Sequence, residues 1–155
     1  MRRAALGLAL VACLSGCRAK TDVTRIHALL AKGEAAAEDS DVRGVTDLVA
    51  DDFKADDLDR QTLKGYLAAR LLRGERITVI RRDETITVDG FTATAGFDAA
   101  LLAGERAKLK GTVPNRMGTY HFDLTLSKRD DVWKVTSAKY REIPAAKFAI
   151  EAADF

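Results

Sequence analysis

The spacing of apolar residues changes from a helical period to a strand period at Gly74, and this change constrains the fold more than any other feature. Before it, apolar side chains recur every three or four residues, as on one face of an α-helix: Leu63, Tyr66, Leu67 and Leu71. After it, apolar and polar residues alternate, as in half-buried strands. Helices followed by an antiparallel meander predict an α+β fold, in which the helices cover the apolar face of the sheet.

The alternating region divides into four predicted strands, which begin near Ile77, Ala93, Tyr120 and Trp133. Asp89-Gly90 is a tight hairpin signal between the first two strands. The alternation slips by one residue near Arg82-Asp83 and again near Thr136. Each slip predicts a β-bulge or a break in the strand.

Capping residues place three helices before the sheet. The first is expected to begin at Thr21 or Asp22, and the third after Asp59, because short polar side chains accept hydrogen bonds from the first free backbone N–H groups. Val45, Leu48 and Val49 would form the buried side of a short second helix, and the stretch 51–53 is predicted to be a turn. A last short helix is expected over 145–154, after Pro144 has ended the final strand.

The beginning of the chain has the pattern of a secretory signal. Arg2 and Arg3 precede an uncharged apolar run from Ala4 to Leu14, which is followed by small residues. A bilayer span needs about 20 apolar residues, so this run predicts a cleaved signal rather than a permanent anchor. Residues 1–16 are therefore assigned to a signal peptide.

Leu14-Ser15-Gly16-Cys17 resembles the lipobox of bacterial lipoproteins. In that family the cysteine thiol carries a diacylglycerol and the chain is cut just before the cysteine. Cys13 also ends a fitting segment and is an alternative acceptor, but it would leave a shorter apolar core, so Cys17 is the preferred lipidation site. Residues 17–21 would then be a lipid-anchored tether and residues 22–155 a single domain.

This resemblance implies a protein of the bacterial cell envelope that is anchored by lipid to a membrane, on the periplasmic side in a Gram-negative cell. Loss of Arg2 and Arg3 would bring the formal net charge from +2 to zero, so composition gives no reason to expect a nucleic-acid partner. The expected partners are membrane lipid through Cys17 and an unidentified envelope protein or small ligand.

Four segments also resemble the nuclear transport factor 2-like superfamily, which includes ketosteroid-isomerase-like proteins: "DLVADDF" (47–53), "LDRQTLKGYL" (58–67), "ITVDGFTATAGFDA" (86–99) and "VWKVTSAKY" (132–140). The resemblance covers nearly the whole predicted domain and implies helices wrapped by a curved sheet, with a pocket between the sheet and the helices. It also implies that the outer face of the sheet can form a homodimer. Members include isomerases, dehydratases, hydrolases and proteins that only bind, so function must be argued from a site.

Enzymes of that superfamily place a catalytic Asp or His, often with a Tyr, in the pocket. This makes His121, Asp123 and Tyr140 the candidates for an alternative catalytic pocket. His121 and Asp123 alternate with the apolar row Tyr120, Phe122 and Leu124, so they lie outside if that row faces the helices. His27 and the aspartates of 51–59 have no metal-ligand spacing, and no metal or cofactor is predicted.

The loop between the second and third predicted strands contains four cations that could contact a ligand, a partner or anionic lipid: Arg106, Lys108, Lys110 and Arg116. A solvated hairpin tip is the alternative interpretation. No assembled acid–base set is evident, so the sequence favours a non-catalytic envelope lipoprotein that binds a ligand or a protein. A small pocket enzyme of the isomerase or hydrolase type is the alternative function.

Overall fold

The computed structural model describes residues 9–55, 58–71, 76–103 and 116–144. Within these ranges it contains three helices, α1 (Ala9–Glu38), α2 (Val42–Thr46) and α3 (Arg60–Leu71). The strands within the same ranges are β1 (Val49–Ala55), β2 (Leu58–Asp59), β3 (Ile77–Asp89), β4 (Thr92–Ala103), β5 (Arg116–Arg129) and β6 (Val132–Glu142).

The strands form one curved sheet in the order β2-β1-β6-β5-β4-β3. Neighbouring strands are antiparallel except β1 and β6, which are parallel. The helices lie against one face of this sheet, and α1 packs closest to the edge strand β3. The predicted α+β fold, with N-terminal helices packed on a curved antiparallel sheet, is confirmed.

The core lies between α1 and the face of the sheet that the apolar alternation predicted. Ala93 pairs with Leu126, so their side chains share the face that packs against Ile26 and Leu30 of α1. Trp133 belongs to the same cluster and is 3% exposed. We call this the helix-side face and the opposite one the outer face.

A buried ion pair joins α1 to the hairpin of β5 and β6. Asp22 and Lys128 are both buried, and Lys128 Nζ lies 2.8 Å from Asp22 Oδ1. The same oxygen accepts a hydrogen bond from Trp133 Nε1 over 3.2 Å. Hydrogen bonds from Lys128 and Trp133 lower the pKa of Asp22 against the opposing effect of burial.

Asp22 was predicted as a helix cap, and this prediction is wrong. α1 runs without a break from Ala9 to Glu38, so Asp22 lies inside the helix and Cys17 lies on the same helix. A carboxylate in a helix interior is stable here because its partner Lys128 neutralises it in the core. Within the described ranges no helix is both long and apolar enough to cross a membrane.

The predicted irregularities of the strands are confirmed. The pairing of β3 with β4 shifts between Arg82 and Thr85, and Asp83 has a positive φ of 53°. The pairing of β5 with β6 shifts beside Thr136. Gly90 has a φ of 59° in the turn between β3 and β4, a conformation that glycine adopts without steric cost.

The predicted turn at 51–53 is instead part of β1, in which Phe53 is buried. The second helix also ends sooner than predicted, because Val49 already belongs to β1. Asp59 is confirmed as the cap of α3, since its carboxylate accepts a hydrogen bond from the Thr62 amide over 2.8 Å. The predicted helix over 145–154 lies outside the described residues.

Candidate functional site

The outer face of β4 and β5 brings together a histidine and two aspartates. Asp98 of β4 pairs with His121 of β5, and Gly96 pairs with Asp123, so these positions share one face. Phe97 and Phe122 alternate with them and stack on the helix-side face at 5.3 Å. The expectation that His121 and Asp123 point away from the apolar row is thus confirmed.

Asp98 holds His121 in a fixed orientation. His121 Nδ1 lies 2.5 Å from Asp98 Oδ1, and the Asp98 side chain is only 10% exposed. The other ring nitrogen, Nε2, lies 3.3 Å from Oδ1 of Asp123, whose carboxylate is largely in solvent. The buried carboxylate of Asp98 fixes the ring through Nδ1, and Nε2 lies beside Gly96 and the exposed carboxylate of Asp123.

A groove of about 570 Å³ runs over this cluster. Besides His121, its walls carry hydroxyl groups, two carboxylates and one amine, from Thr85, Thr94, Thr125, Ser137, Asp83, Asp123 and Lys139. Gly96 lines the groove beside His121, where an added Cβ would lie 3.7 Å from Asp123 Oδ1. These groups can donate hydrogen bonds to a polar molecule and accept hydrogen bonds from it, and an imidazole can take or give a proton.

Tyr140 does not join this cluster. It pairs with Phe122 across β5 and β6, and so lies on the helix-side face, whereas the neighbouring Lys139 pairs with Asp123 on the outer face. Its ring contacts Tyr120 and Phe122 with centroids 6.0 and 6.2 Å apart. The structure therefore brings His121 and Asp123 together and separates Tyr140 from both.

The other histidine lies on the surface of α1. His27 Nδ1 is 2.6 Å from Glu84 Oε1 of β3, and its side chain is mostly exposed. Arg81 is nearly buried between two carboxylates, at 2.7 Å from Glu84 and 3.6 Å from Glu34. These pairs attach α1 to β3 and leave no open site.

The aspartates of 51–59 that the structure describes each have a local role. Asp51 pairs with Arg60 at 3.0 Å, and Asp52 with Arg129 at 2.6 Å, an ion pair that lowers the pKa of Asp52. Asp59 caps α3. Across the described residues no group of three or more His, Cys, Asp or Glu side chains could hold a metal ion.

Three of the four predicted basic contacts, Arg106, Lys108 and Lys110, lie outside the described residues. Arg116 begins β5, and its side chain is also outside them. Cys17 is described only by its backbone, as part of α1. The proposed lipidation site and the basic contacts therefore stay predictions.

Asp98 is the site residue that sequence reasoning missed. In the sequence it lies between Phe97 and Ala99 of an alternating run, where a polar side chain needs no special role. Aligning the two alternating runs so that Phe97 faces Phe122 would have placed Asp98 opposite His121. That register is the signal from which the pair could have been predicted.

Comparison with solved structures identifies the fold class. A nuclear transport factor 2-like protein with a cystatin-like fold from Novosphingobium aromaticivorans matches 96% of this chain and 100% of its own, with a TM-score of 0.70 and 16% identity. A protein of unknown function from Mycobacterium tuberculosis matches 86% of this chain and 80% of its own, with a TM-score of 0.67 and 22% identity. The chain has the nuclear transport factor 2-like fold.

A third similar structure, from Streptomyces avermitilis, is described as a candidate dehydratase of the nuclear transport factor 2-like family. It matches 81% of this chain and 99% of its own, with a TM-score of 0.65 and 18% identity. No protein-family model and no curated relative matches the chain. Likeness at these identities establishes the fold, and the chemistry depends on the site itself.

Proposed function

We propose that this protein is a lipid-anchored lipoprotein of the bacterial envelope whose domain binds a small polar ligand in the outer-face groove without transforming it. Cys17 supplies the anchor, at the end of the lipobox-like segment Leu14–Cys17. The observation that carries the binding role is His121, which lines the groove, held by Asp98 at 2.5 Å and with Asp123 beside its Nε2. The ligand should carry hydroxyl or amine groups, because the carboxylates of Asp83 and Asp123 accept hydrogen bonds.

The helix-side interior supports binding rather than catalysis. The space where enzymes of this fold hold substrate is packed here by buried apolar side chains, among them Ile26, Phe53, Leu126 and Trp133. The described ionisable groups buried there, Asp22 and Lys128, neutralise each other. An open polar groove on the other face excludes little water, whereas catalytic sites usually need water excluded.

The anchor is tested by intact mass and labelled palmitate incorporation in the full chain. Lipid should be lost in the Cys17→Ser variant and kept in the Cys13→Ser variant, because only the thiol of the acceptor cysteine takes the lipid. The reverse result would move the anchor to Cys13. A chain that carries no lipid in either variant or in the unsubstituted protein would overturn the proposal of a lipoprotein.

Ligand binding is tested by native mass spectrometry of the purified protein, followed by titration with whatever molecule co-purifies. Gly96→Val should remove binding, because its branched side chain fills the groove between His121 and Asp123 while β-branched residues suit a strand. His121→Ala should weaken binding, and His27→Ala is the matched control, since His27 is the chain's other histidine and lies on α1. Binding that survives Gly96→Val would place the ligand elsewhere.

A homodimer through the outer face is a further proposal that follows from the family resemblance. Such a dimer would cover the same groove. Light scattering of the purified protein with and without ligand tests it, because a dimer on this face and a bound ligand compete. Gly96→Val should then alter the dimer constant as well as ligand affinity.

A second candidate function is a proton-transfer enzyme of the isomerase, dehydratase or hydrolase type. The Asp98–His121 pair favours it, because an imidazole held on Nδ1 by a carboxylate can act as a general base through Nε2. The fold neighbour described as a candidate dehydratase is consistent with this alternative. Conversion of the co-purifying molecule by the unsubstituted protein, and its loss in Asp98→Asn with binding retained, would replace the binding role with this one.

A further inference from the structure

Two hairpin turns lie side by side at one end of the sheet and expose apolar side chains. The backbone N–H of Lys128 donates to Phe91 O over 2.8 Å, which joins the β5–β6 hairpin to the β3–β4 turn. Phe91 is 64% exposed and Val132 is 51% exposed. Of the four exposed large apolar side chains that the described ranges contain, these two share one end. We call residues 89–92 and 129–132 the hairpin end.

The helix that leads back to Cys17 is fixed to this hairpin end. Asp22 of α1 binds Lys128 and Trp133, and Arg25 pairs with Asp131 at 3.0 Å. Farther along α1, Glu38 accepts a hydrogen bond from the Val79 amide near the other end of β3. α1 therefore runs away from the hairpin end as the chain proceeds.

We propose that the hairpin end faces the lipid surface and that Phe91 and Val132 enter the interfacial layer of the bilayer. The inference rests on the proposed lipidation of Cys17. Cys17 precedes Asp22 by five residues, about 7.5 Å along a helix and at most about 17 Å of extended chain. Acyl chains attached there reach the membrane beside the hairpin end, and burial of exposed apolar side chains in the interface is favourable.

The contact is apolar rather than electrostatic. Among the side chains that the structure describes, the exposed cations at or beside the hairpin end include Arg25, paired with Asp131, and Arg129, paired with Asp52. Asp89 and Asp130 add negative charge nearby. The electrostatic attraction between the described side chains of this end and anionic lipid is therefore small, and we expect the orientation not to depend on salt concentration.

This orientation changes the expectation for the basic loop. β4 has 12 residues and spans about 40 Å. Ala103 and Arg116, which flank residues 104–115, therefore lie at the end of the sheet opposite Phe91. The segment therefore starts and ends far from the anchoring membrane, and we expect its cations to meet an acidic partner rather than lipid head groups.

The test uses the full, lipidated chain with a tryptophan either at the hairpin end or near the middle of the sheet. The vesicles are of phosphatidylethanolamine and phosphatidylglycerol and contain brominated acyl chains. Phe91→Trp reports the hairpin end. Tyr140→Trp is the matched control, since Tyr140 is also 64% exposed and is level with Phe97, about 17 Å along the sheet from that end. Buried Trp133 stays in place as the background. We expect brominated lipid to quench the Phe91→Trp signal about twofold, at low and high salt, and to leave the Tyr140→Trp signal at background.

Equal quenching at the two positions, or stronger quenching of Tyr140→Trp, would overturn the orientation. Intact mass of the same sample separates this outcome from failure of the lipoprotein proposal. If Cys17 carries no lipid, its thiol is coupled to a maleimide-headgroup lipid in the Cys13→Ser chain, where it is the one cysteine left. The quenching of Phe91→Trp and of Tyr140→Trp is then compared again. Phe91→Trp quenching then supports the geometric argument alone, and its absence refutes it.

Discussion

Replacement of Trp133 by alanine is expected to lower the free energy of unfolding by about 3–5 kcal/mol. The side chain is 3% exposed in the main core cluster, so truncation loses apolar burial and leaves a cavity that α1 can fill only in part. It also removes the Nε1 hydrogen bond to Asp22, whose carboxylate lies in the same buried layer. The two losses add, which places the expected value in the upper part of the range.

Trp133→Phe separates the hydrogen bond from the packing. Phenylalanine keeps most of the ring contacts and removes the donor, so the expected loss is about 1.5–3 kcal/mol, the range for a hydrogen bond to a charged group. Urea unfolding of the purified chain at pH 7, followed by far-ultraviolet circular dichroism, measures both variants. Val132→Ala is the control, because Val132 is the exposed neighbour of Trp133 and its truncation should change the free energy of unfolding by less than about 0.5 kcal/mol.

The order of the three variants decides the argument. A loss for Trp133→Ala below about 1 kcal/mol, on the scale of surface substitutions, would mean that Trp133 is accessible and could contact a ligand. Equal losses for Trp133→Phe and Trp133→Ala would show that the bond to Asp22, and not the packing, accounts for the effect.

Three further predictions concern pH and local backbone. Hydrogen bonds from Lys128 and Trp133 lower the pKa of Asp22 below 3.8, so its stabilising effect is present at neutral pH and is lost as pH falls through the lowered value. The free energy of unfolding, measured at decreasing pH, should therefore fall less steeply in Asp22→Asn than in the unsubstituted protein. Gly90→Ala should cost about 1–2 kcal/mol in urea unfolding, since φ is +59° with no atom within 4 Å of the added Cβ, and an unchanged midpoint would contradict this. Asp41→Ala should cost about 1 kcal/mol by removing the bond from the Gly44 amide at the start of α2, with Asp39→Ala as the uncapped control.

The strands and turns of the β3–β6 meander could be predicted from the sequence because their signals are local. Asp89-Gly90 specifies a turn by the φ values that its residues tolerate, and the slip at Arg82-Asp83 is visible as a change of phase. A two-residue period predicts which face each side chain takes without knowledge of its partner. The outward positions of His121 and Asp123 followed from this rule.

The features that were missed depend on partners far along the chain. β1 pairs in parallel with β6 in an irregular register, so its residues show no clear alternation and 51–53 resembled a turn. Asp22 has a capping side chain, and only Lys128, more than a hundred residues later, explains its burial inside a helix. Tyr140 was grouped with His121 by residue type, but the register of β5 and β6 determines its face and sets it beside Phe122.

The proposed anchor and the proposed site impose a condition on each other. Asp98 lies six residues along β4 from Thr92, so His121, which pairs with Asp98, is about 20 Å from the hairpin end. If that end rests on the lipid surface, His121 stands clear of the head groups, in the aqueous phase. The groove is also polar, with hydroxyl groups and carboxylates along its walls. A lipid that stays in the bilayer therefore cannot reach Nε2 of His121, and the ligand must be a water-soluble molecule or a group extended from another structure into the envelope.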